Sequence, residues 1–449
     1  MWTIDRQAGR RSRSRPAGWG AATGTPRTSR SRMLGALTAA VAIAVPGAPA
    51  VAAATDDDTP PPAQVIVEWN RAMMDNLRNA PGPVAIRIGA IVQSSVFDAV
   101  NGITRRYTEF HETRRAPHRA SATAAAAGAA YQALRLLFPS AQATFDALLA
   151  RTVPDRSHGA AARGVAWGES VADDIVNWRS TDGFTAVPPP YVLSPAPGRW
   201  KPTPPLFGPP IFRQFATMVP FAIASPTQFQ PPAPPALDSA RYATDYAEVK
   251  AYGRIDSAVR TARGTETALL WGSDAPVDVW DTVADTLIGG RHLGLTDATR
   301  LMAQMNIAMA DAVIAVWNAK NLFDRWRPIT AIEQAATDGN PATEPDPTWQ
   351  PLLATPPFQE YPSGHAGASQ SAAAVLAHRF GNSTQYSITT PNLPGVTHSF
   401  ASFTAGVAEV TDARVFIGFH FRFACNAADV MGRGVAGYVL ATQMRPRDG

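Results

Sequence analysis

VIVEWNRAMMDNL at residues 65–77, a Pro-Gly-Pro break at 81–83 and VAIRIGAIVQSSVFDAV at 84–100 decide the fold class. In both runs apolar residues recur at three- and four-residue spacing, the period of a helix that lays one stripe against a core. Working outward, residues 120–137, 141–151 and 158–178 continue in the same style, separated by Pro, Gly or short polar stretches. Residues 239–253, 276–287, 296–323, 363–380, 400–410 and 425–444 also read as helices. Residues 352–362 read as a loop and 384–396 as an irregular excursion. Alternating β patterns are scarce, and no repeat recurs at a fixed period. Residues 188–237 differ: they are dense in proline, poor in charge and carry several aromatics. Fifty residues of free linker are unusual inside a domain, so this insert is expected to lie extended over the helices. The reading is an all-α protein with a single helical domain over 55–449 and a long proline-rich insert.

The chain has 449 residues, 45% of them hydrophobic and 17% charged, which is enough for a sizeable core and excludes a disordered chain. Cys425 is the single cysteine, so an intrachain disulfide and a cysteine-based zinc cluster are excluded. The net charge is +4, but residues 1–33 hold eight arginines against one acid, which leaves the remainder negative. No nucleic-acid partner is expected of such a body. Only Lys201, Lys250 and Lys320 are lysines among the 40 basic residues, so each lysine stands out against an arginine default.

The arginine-rich start, the apolar run LGALTAAVAIAV at 34–45 and the small residues after it describe a secretory signal peptide within 1–54. Cleavage is expected between 50 and 54, and Met33 is a second candidate start. Arg10 and Arg11 raise the twin-arginine route, although the residues that usually follow the pair are absent. The mature protein is therefore expected to be secreted. No later stretch is uniformly apolar for 18 residues, so no transmembrane segment is expected in the mature chain. Residues 301–316 come closest, interrupted by Gln304, Asn306 and Asp311. Their faces serve the core or a second copy of the chain, which leaves a homo-oligomer open.

Three segments in the C-terminal third carry chemistry. KNLFDRWRP at 320–328 sets Lys320 and Arg327 seven apart, two turns of a continuing helix, which places both cations on one side. An ordinary helix end with cations on its dipole is the plainer reading. YPSGHAGASQSAAAVL begins at Tyr361; Ser363 is placed as an N-cap, and the free N–H groups of the helix start are a ready anion site. His365 sits in that first turn. DARVFIGFHFRFACNAADVMG sets Arg414 and His420 six apart, with Gly418 between them and Arg422 after. Together these segments supply three cations, a helix N-terminus and two histidines, an inventory that fits a tetrahedral oxyanion such as phosphate or vanadate. One histidine can bond to the central atom while the other moves a proton.

K-x6-R-P, P-S-G-H and R-x5-H, in that order, resemble the signature of the vanadium-dependent haloperoxidases, which is shared with the type 2 phosphatidic acid phosphatase superfamily. EWNRAMMDNL, RIGAIVQSSVFDAV, GRWKPTP, VPFAIASPTQFQPPAPPAL and SAVRT resemble the first helices and middle region of secreted bacterial members. The likeness thus covers the chain from about Gln64 onward and implies that family's helical bundle, with active-site segments over 317–442. It implies vanadate as cofactor, with phosphate able to occupy the same site, and hydrogen peroxide, halide and an organic acceptor as partners. His420 would bond to vanadium, or attack phosphorus in a phosphatase. Lys320, Arg327 and Arg414 would neutralise the oxyanion, Ser363 and the Gly364 N–H would donate to it, and His365 would act as general acid–base. Trp317 and Phe358 match an aromatic pair near the halide site of the chloroperoxidase branch, and equally suit a plain core.

Two departures stand out. Ala413 replaces a serine that often precedes the arginine, and Ala424 replaces an acid of the fungal pattern, removing a carboxylate partner for the histidine. The membrane phosphatase branch has several transmembrane helices, which this chain does not show. A soluble acid phosphatase, with His420 as nucleophile and His365 as general acid, uses the same residues. A non-catalytic oxyanion-binding protein is the reading from another class; it has no need of two histidines.

Overall fold

Helices α1 (Gln64–Leu77) and α2 (Gly82–Thr104) form on either side of the Pro-Gly-Pro break. Pro83 falls in the first turn of α2, where its missing N–H costs no helical bond. The computed structural model describes residues 63–447, so the leader read at 1–54 lies outside the described residues. The chain continues with α3 (Ala122–Leu137), α4 (Gln142–Thr152) and α5 (Gly159–Ser180). After the insert come α6 (Ala240–Tyr252), α7 (Ala262–Ser273), α8 (Pro276–Gly290) and α9 (Leu295–Phe323). Helices α10 (Pro328–Glu333), α11 (Gly364–Phe380), α12 (Phe403–Phe416) and α13 (Arg422–Thr442) complete the all-α bundle.

Helix α9 is the axis of the core. It packs against α2, α11 and α13, and its residues from Leu301 to Trp317 are buried. The three polar residues that interrupt its apolar run each have partners there. Gln304 donates to the Gln443 carbonyl at 3.0 Å and Asn306 to Asp281 at 3.0 Å. Asp311 accepts the N–H groups of Phe221, Ala222 and Ile223 at 2.6, 2.7 and 2.8 Å. Burying a carboxylate is tolerable when several donors converge on it. Helix α2 is long and apolar enough to cross a membrane by length and composition, which the sequence reading did not expect, yet 94% of that stretch is buried in the protein. Gln93, Ser94, Ser95, Asp98 and Asn101 keep it from being uniformly apolar. Small residues let α3 and α5 meet backbone to backbone: a Cβ on Gly168 would stand 2.2 Å from the Ala125 carbonyl oxygen.

The proline-rich insert is extended, with one 3₁₀ turn at Arg213–Thr217. Besides the Asp311 bonds, Trp200 N–H donates to the Asp324 carbonyl at 2.8 Å, Trp326 N–H to Gly198 at 2.9 Å and Ile211 N–H to Pro357 at 3.0 Å. Proline removes donors from this segment, and its remaining N–H groups are used to dock it.

Three local differences from the sequence reading have physical causes. Helix α7 was not expected; its start is fixed by Thr261, whose hydroxyl accepts the Gly264 N–H at 3.0 Å, and its apolar end is buried by tertiary contact. Residues 384–396, read as irregular, contain β1 (Tyr386–Thr389), which pairs with β2 (Thr397–Phe400) just beyond them, Tyr386 opposite Phe400, the residue read as a helix start. Four-residue strands are too short to show a period. Helix α12 runs six residues beyond 410, to Phe416, which brings Arg414 onto its last turn.

Candidate active site

Lys320 reaches the site from the last turn of α9. The helix then stops: Asp324 adopts a left-handed conformation at φ 51°, and Arg327 becomes the residue that caps α10. The expectation that a continuing helix aligns Lys320 with Arg327 is therefore corrected; a chain reversal brings them to one place. The plainer reading, a helix end with cations on its dipole, describes Lys320, which lies in the last turn of α9, but not Arg327, which lies beyond it; both side chains are fully buried. Ser363 caps α11, accepting the Ala366 N–H at 3.5 Å, and Gly364 and His365 form the first turn. By position their N–H groups have no helical acceptor.

The spacing of Arg414 and His420 has a backbone cause. Gly418, at φ 84°, turns the chain so that the N–H groups of Phe419 and His420 both reach the Arg414 carbonyl, at 3.2 and 3.3 Å. A Cβ at Gly418 would lie 2.8 Å from the Gly253 carbonyl oxygen, so glycine is required by conformation and by space.

A cavity of about 200 Å³ collects these residues. Its polar wall is Arg327, Gly364, His365, Arg414 and His420; Trp317 and Phe358 line it too, with ring centroids 5.3 Å apart. Lys320 lies behind the aromatic pair, its ammonium 5.6 Å from the Trp317 centroid and 5.3 Å from that of Phe358. The opposite wall is apolar: Pro83, Ile86, Phe212, Val313 and Pro356. Ser363 is fully buried at the first turn of α11, and Cys425 is buried too. Arg422 stays outside, bound to Glu248 and Asp412.

Several donors around the cavity have fixed partners and several do not. Lys320 Nζ donates to the carbonyls of Gln359 and Glu360 at 2.6 and 2.9 Å, which leaves one of its three N–H groups. Arg327 donates to Phe358 and Phe419 carbonyls at 2.7 and 3.0 Å, while its Nη2 is buried without a partner. Arg414 donates to the Trp271 carbonyl at 3.2 Å, and its Nε is likewise orphaned.

Glu360 was missed by the sequence reading. It is fully buried, and its Oε1 lies 3.0 Å from His420 Nδ1 and accepts the Phe421 N–H at 3.1 Å. The carboxylate expected to be lost at Ala424 is thus present, delivered by a different segment. Glu360 lies three residues before Ser363, in FQEYPSGH, a loop position with no periodic mark to single it out. On the other side of the ring, Arg327 Nη1 is 3.2 Å from His420 Nε2.

Charge balance follows from this geometry. Three buried cations share one carboxylate. Burial pulls Arg327 down to about 9 and Arg414 down to about 10, and it pulls Lys320 well below its usual range, helped by Arg327. Burial pushes Glu360 up to about 7, against the pull of Lys320 and Arg327. Both histidines are held well below their usual value by burial first, then by Arg414 at His365 and Arg327 at His420. They are therefore neutral at ordinary pH. All these cations are under strain that a bound anion relieves.

Residues 300–449 match the model of the VCPO second helical-bundle domain. The vanadium chloroperoxidase of Curvularia inaequalis is 39% identical over 80 residues, 16% of this chain and 12% of that protein, so the matched stretch is a small part of its length. A bacterial vanadium-dependent iodoperoxidase of known structure superposes with a TM-score of 0.76 at 24% identity, covering 86% of this chain and 98% of that one. A holo-type bacterial vanadium-dependent chloroperoxidase gives 0.64 at 16% identity, covering 81% and 94%. These structures share the fold.

Proposed function

We propose that the chain, whose residues 300–449 match a VCPO second helical-bundle domain and whose fold is shared with bacterial vanadium-dependent haloperoxidases, is a vanadium haloperoxidase that oxidises a halide with hydrogen peroxide, using vanadate at His420. The observation that carries this reading is the set of orphaned buried donors, Arg327 Nη2 and Arg414 Nε, around a cavity that His420 also lines. Buried donors without partners are costly, and a tetrahedral oxyanion supplies acceptors to them and negative charge to the uncompensated cations. The residues present therefore fit vanadate, and they fit phosphate equally.

Lys320, Arg327 and Arg414 would hold the oxyanion, with Ser363 and the Gly364 N–H at the start of α11. When bound, vanadate supplies the Lewis acidity that activates peroxide toward a halide. His420 contributes an unprotonated ring nitrogen. His365, neutral and lining the cavity, is able to take a proton from hydrogen peroxide and return it to a leaving oxygen. Trp317 and Phe358 sit where a halide would approach, and the apolar wall behind them excludes water and suits an uncharged organic acceptor. The signal-like leader supports export as part of the same proposal; N-terminal sequencing of the secreted protein would place the cleavage site.

The decisive assay is peroxide-dependent bromination of a phenolic dye by the purified protein, with and without orthovanadate, beside p-nitrophenyl phosphate hydrolysis by the apo form. Vanadate-dependent bromination that His420→Ala abolishes is the expected result. Phosphate ester hydrolysis inhibited by vanadate, with no bromination, would replace this reading with an acid phosphatase. Silence in both would favour an oxyanion binder.

A further inference from the structure

His420 has two ring nitrogens, and its neighbours assign a different task to each. Arg327 can only donate, so its Nη1 at 3.2 Å requires Nε2 to be the acceptor and therefore unprotonated. A neutral imidazole then carries its proton on Nδ1, where Glu360 Oε1 stands at 3.0 Å to accept it. The two contacts are independent and agree on one tautomer. Glu360 is itself held from two directions. Its Oε1 also accepts the Phe421 N–H, and its backbone carbonyl accepts from Lys320. The carboxylate is fully buried and His420 nearly so.

We infer that Glu360 is a positioning residue for His420: its carboxylate holds the proton on Nδ1, fixes the ring plane and keeps Nε2 unprotonated, as the nitrogen that meets the Arg327 guanidinium. A carboxylate behind a ligating imidazole also raises the donor strength of the far nitrogen. Through its main chain the same residue orients Lys320, so one short stretch sets both the histidine and the lysine. This rests on the oxyanion reading of the cavity and deepens it.

The test separates positioning from charge and from packing, because each predicts a different pattern. Glu360 is a negative group beside an anion site, so as a mere charge its removal would tighten all anions. As a positioning residue it matters for the anion that bonds to the histidine and not for one held by the cations alone. Titration calorimetry on the apo protein, with orthovanadate and with orthophosphate, would compare wild type with Glu360→Gln and Glu360→Ala. The expected result for Glu360→Ala is vanadate binding weaker by roughly ten- to a hundred-fold, with phosphate unchanged or tighter. Glu360→Gln keeps an acceptor oxygen and should recover part of the vanadate loss. Parallel loss of both anions, or parallel gain, would overturn the inference.

A measurement on the resting protein guards against a variant that does not fold. With ¹⁵N-labelled histidine the chain has eight histidines to resolve, and a His420→Gln spectrum identifies the relevant one. Wild type should show Nδ1 protonated, with its proton strongly downfield, and Glu360→Gln should move that proton upfield. A proton on Nε2, or a resonance that ignores the substitution, sinks the assignment. Failure of the wild type to bind either anion would instead sink the oxyanion reading, and the tautomer would still judge Glu360.

Discussion

Arg414 shows what a single guanidinium does in this cavity. One of its nitrogens is fixed on the Trp271 carbonyl, and Nε is buried without a partner. Arg414→Lys keeps a positive charge and removes the planar fork, so orthophosphate affinity should fall about ten-fold, roughly 1.4 kcal/mol. Calorimetric titration checks it; an unchanged affinity would mean that Arg414 only packs. Lys320 was legible because a lysine stands out in an arginine-default chain, whereas Arg327, Arg414, His365 and His420 were legible from the ordered spacing K-x6-R-P, P-S-G-H and R-x5-H. Glu360 was not, because an acid beside a loop carries no periodic or compositional mark; only the fold shows that it stands behind His420. Lys320 and Arg327 were legible as a pair for the wrong reason, since a break in the helix joins them.

At the scale of the element, the turn between α12 and α13 is the most constrained piece. Gly418→Ala meets both a positive φ and a crowded neighbour, and should cost about 1–3 kcal/mol in urea unfolding while loosening His420. Oxyanion affinity should fall with it, and a variant of wild-type stability would contradict the account. The insert offers a second case. Asp311→Ala strips the acceptor from three N–H groups, at a cost of roughly 3 kcal/mol or more. Limited proteolysis should then cut first within residues 184–235 while the helices stay intact; cleavage spread evenly over the chain would argue against that anchoring. Long helices could be read because their period is strong over many turns. The hairpin and α7 could not, because each is short and takes its stability from neighbours rather than from its own pattern.

Across the whole molecule, α8 hides carboxyl groups that do not line the cavity. Burial raises Asp281 well above its usual value and brings Asp285 to about 7. The stability that the protonated Asp285 contributes is fully present below about pH 4 and is lost as pH rises through 7. Asp285→Asn stays neutral throughout, so its unfolding free energy should match wild type near pH 4 and exceed it at pH 8, by up to roughly 4 kcal/mol. A difference that does not grow with pH would refute this. The oxyanion donors also have a consequence at this scale. They come from the end of α9 and the adjoining cap of α10, from the start of α11 and from the last turn of α12. An anion seated among them rivets four parts of the bundle, so its concentration becomes a term in how long the folded chain lasts. If the proposed oxyanion binds there, the gain at a hundred-fold excess over its dissociation constant would be about 2.7 kcal/mol, and scarcity of phosphate or vanadate in the surroundings would shorten the protein's lifetime before it limited any reaction.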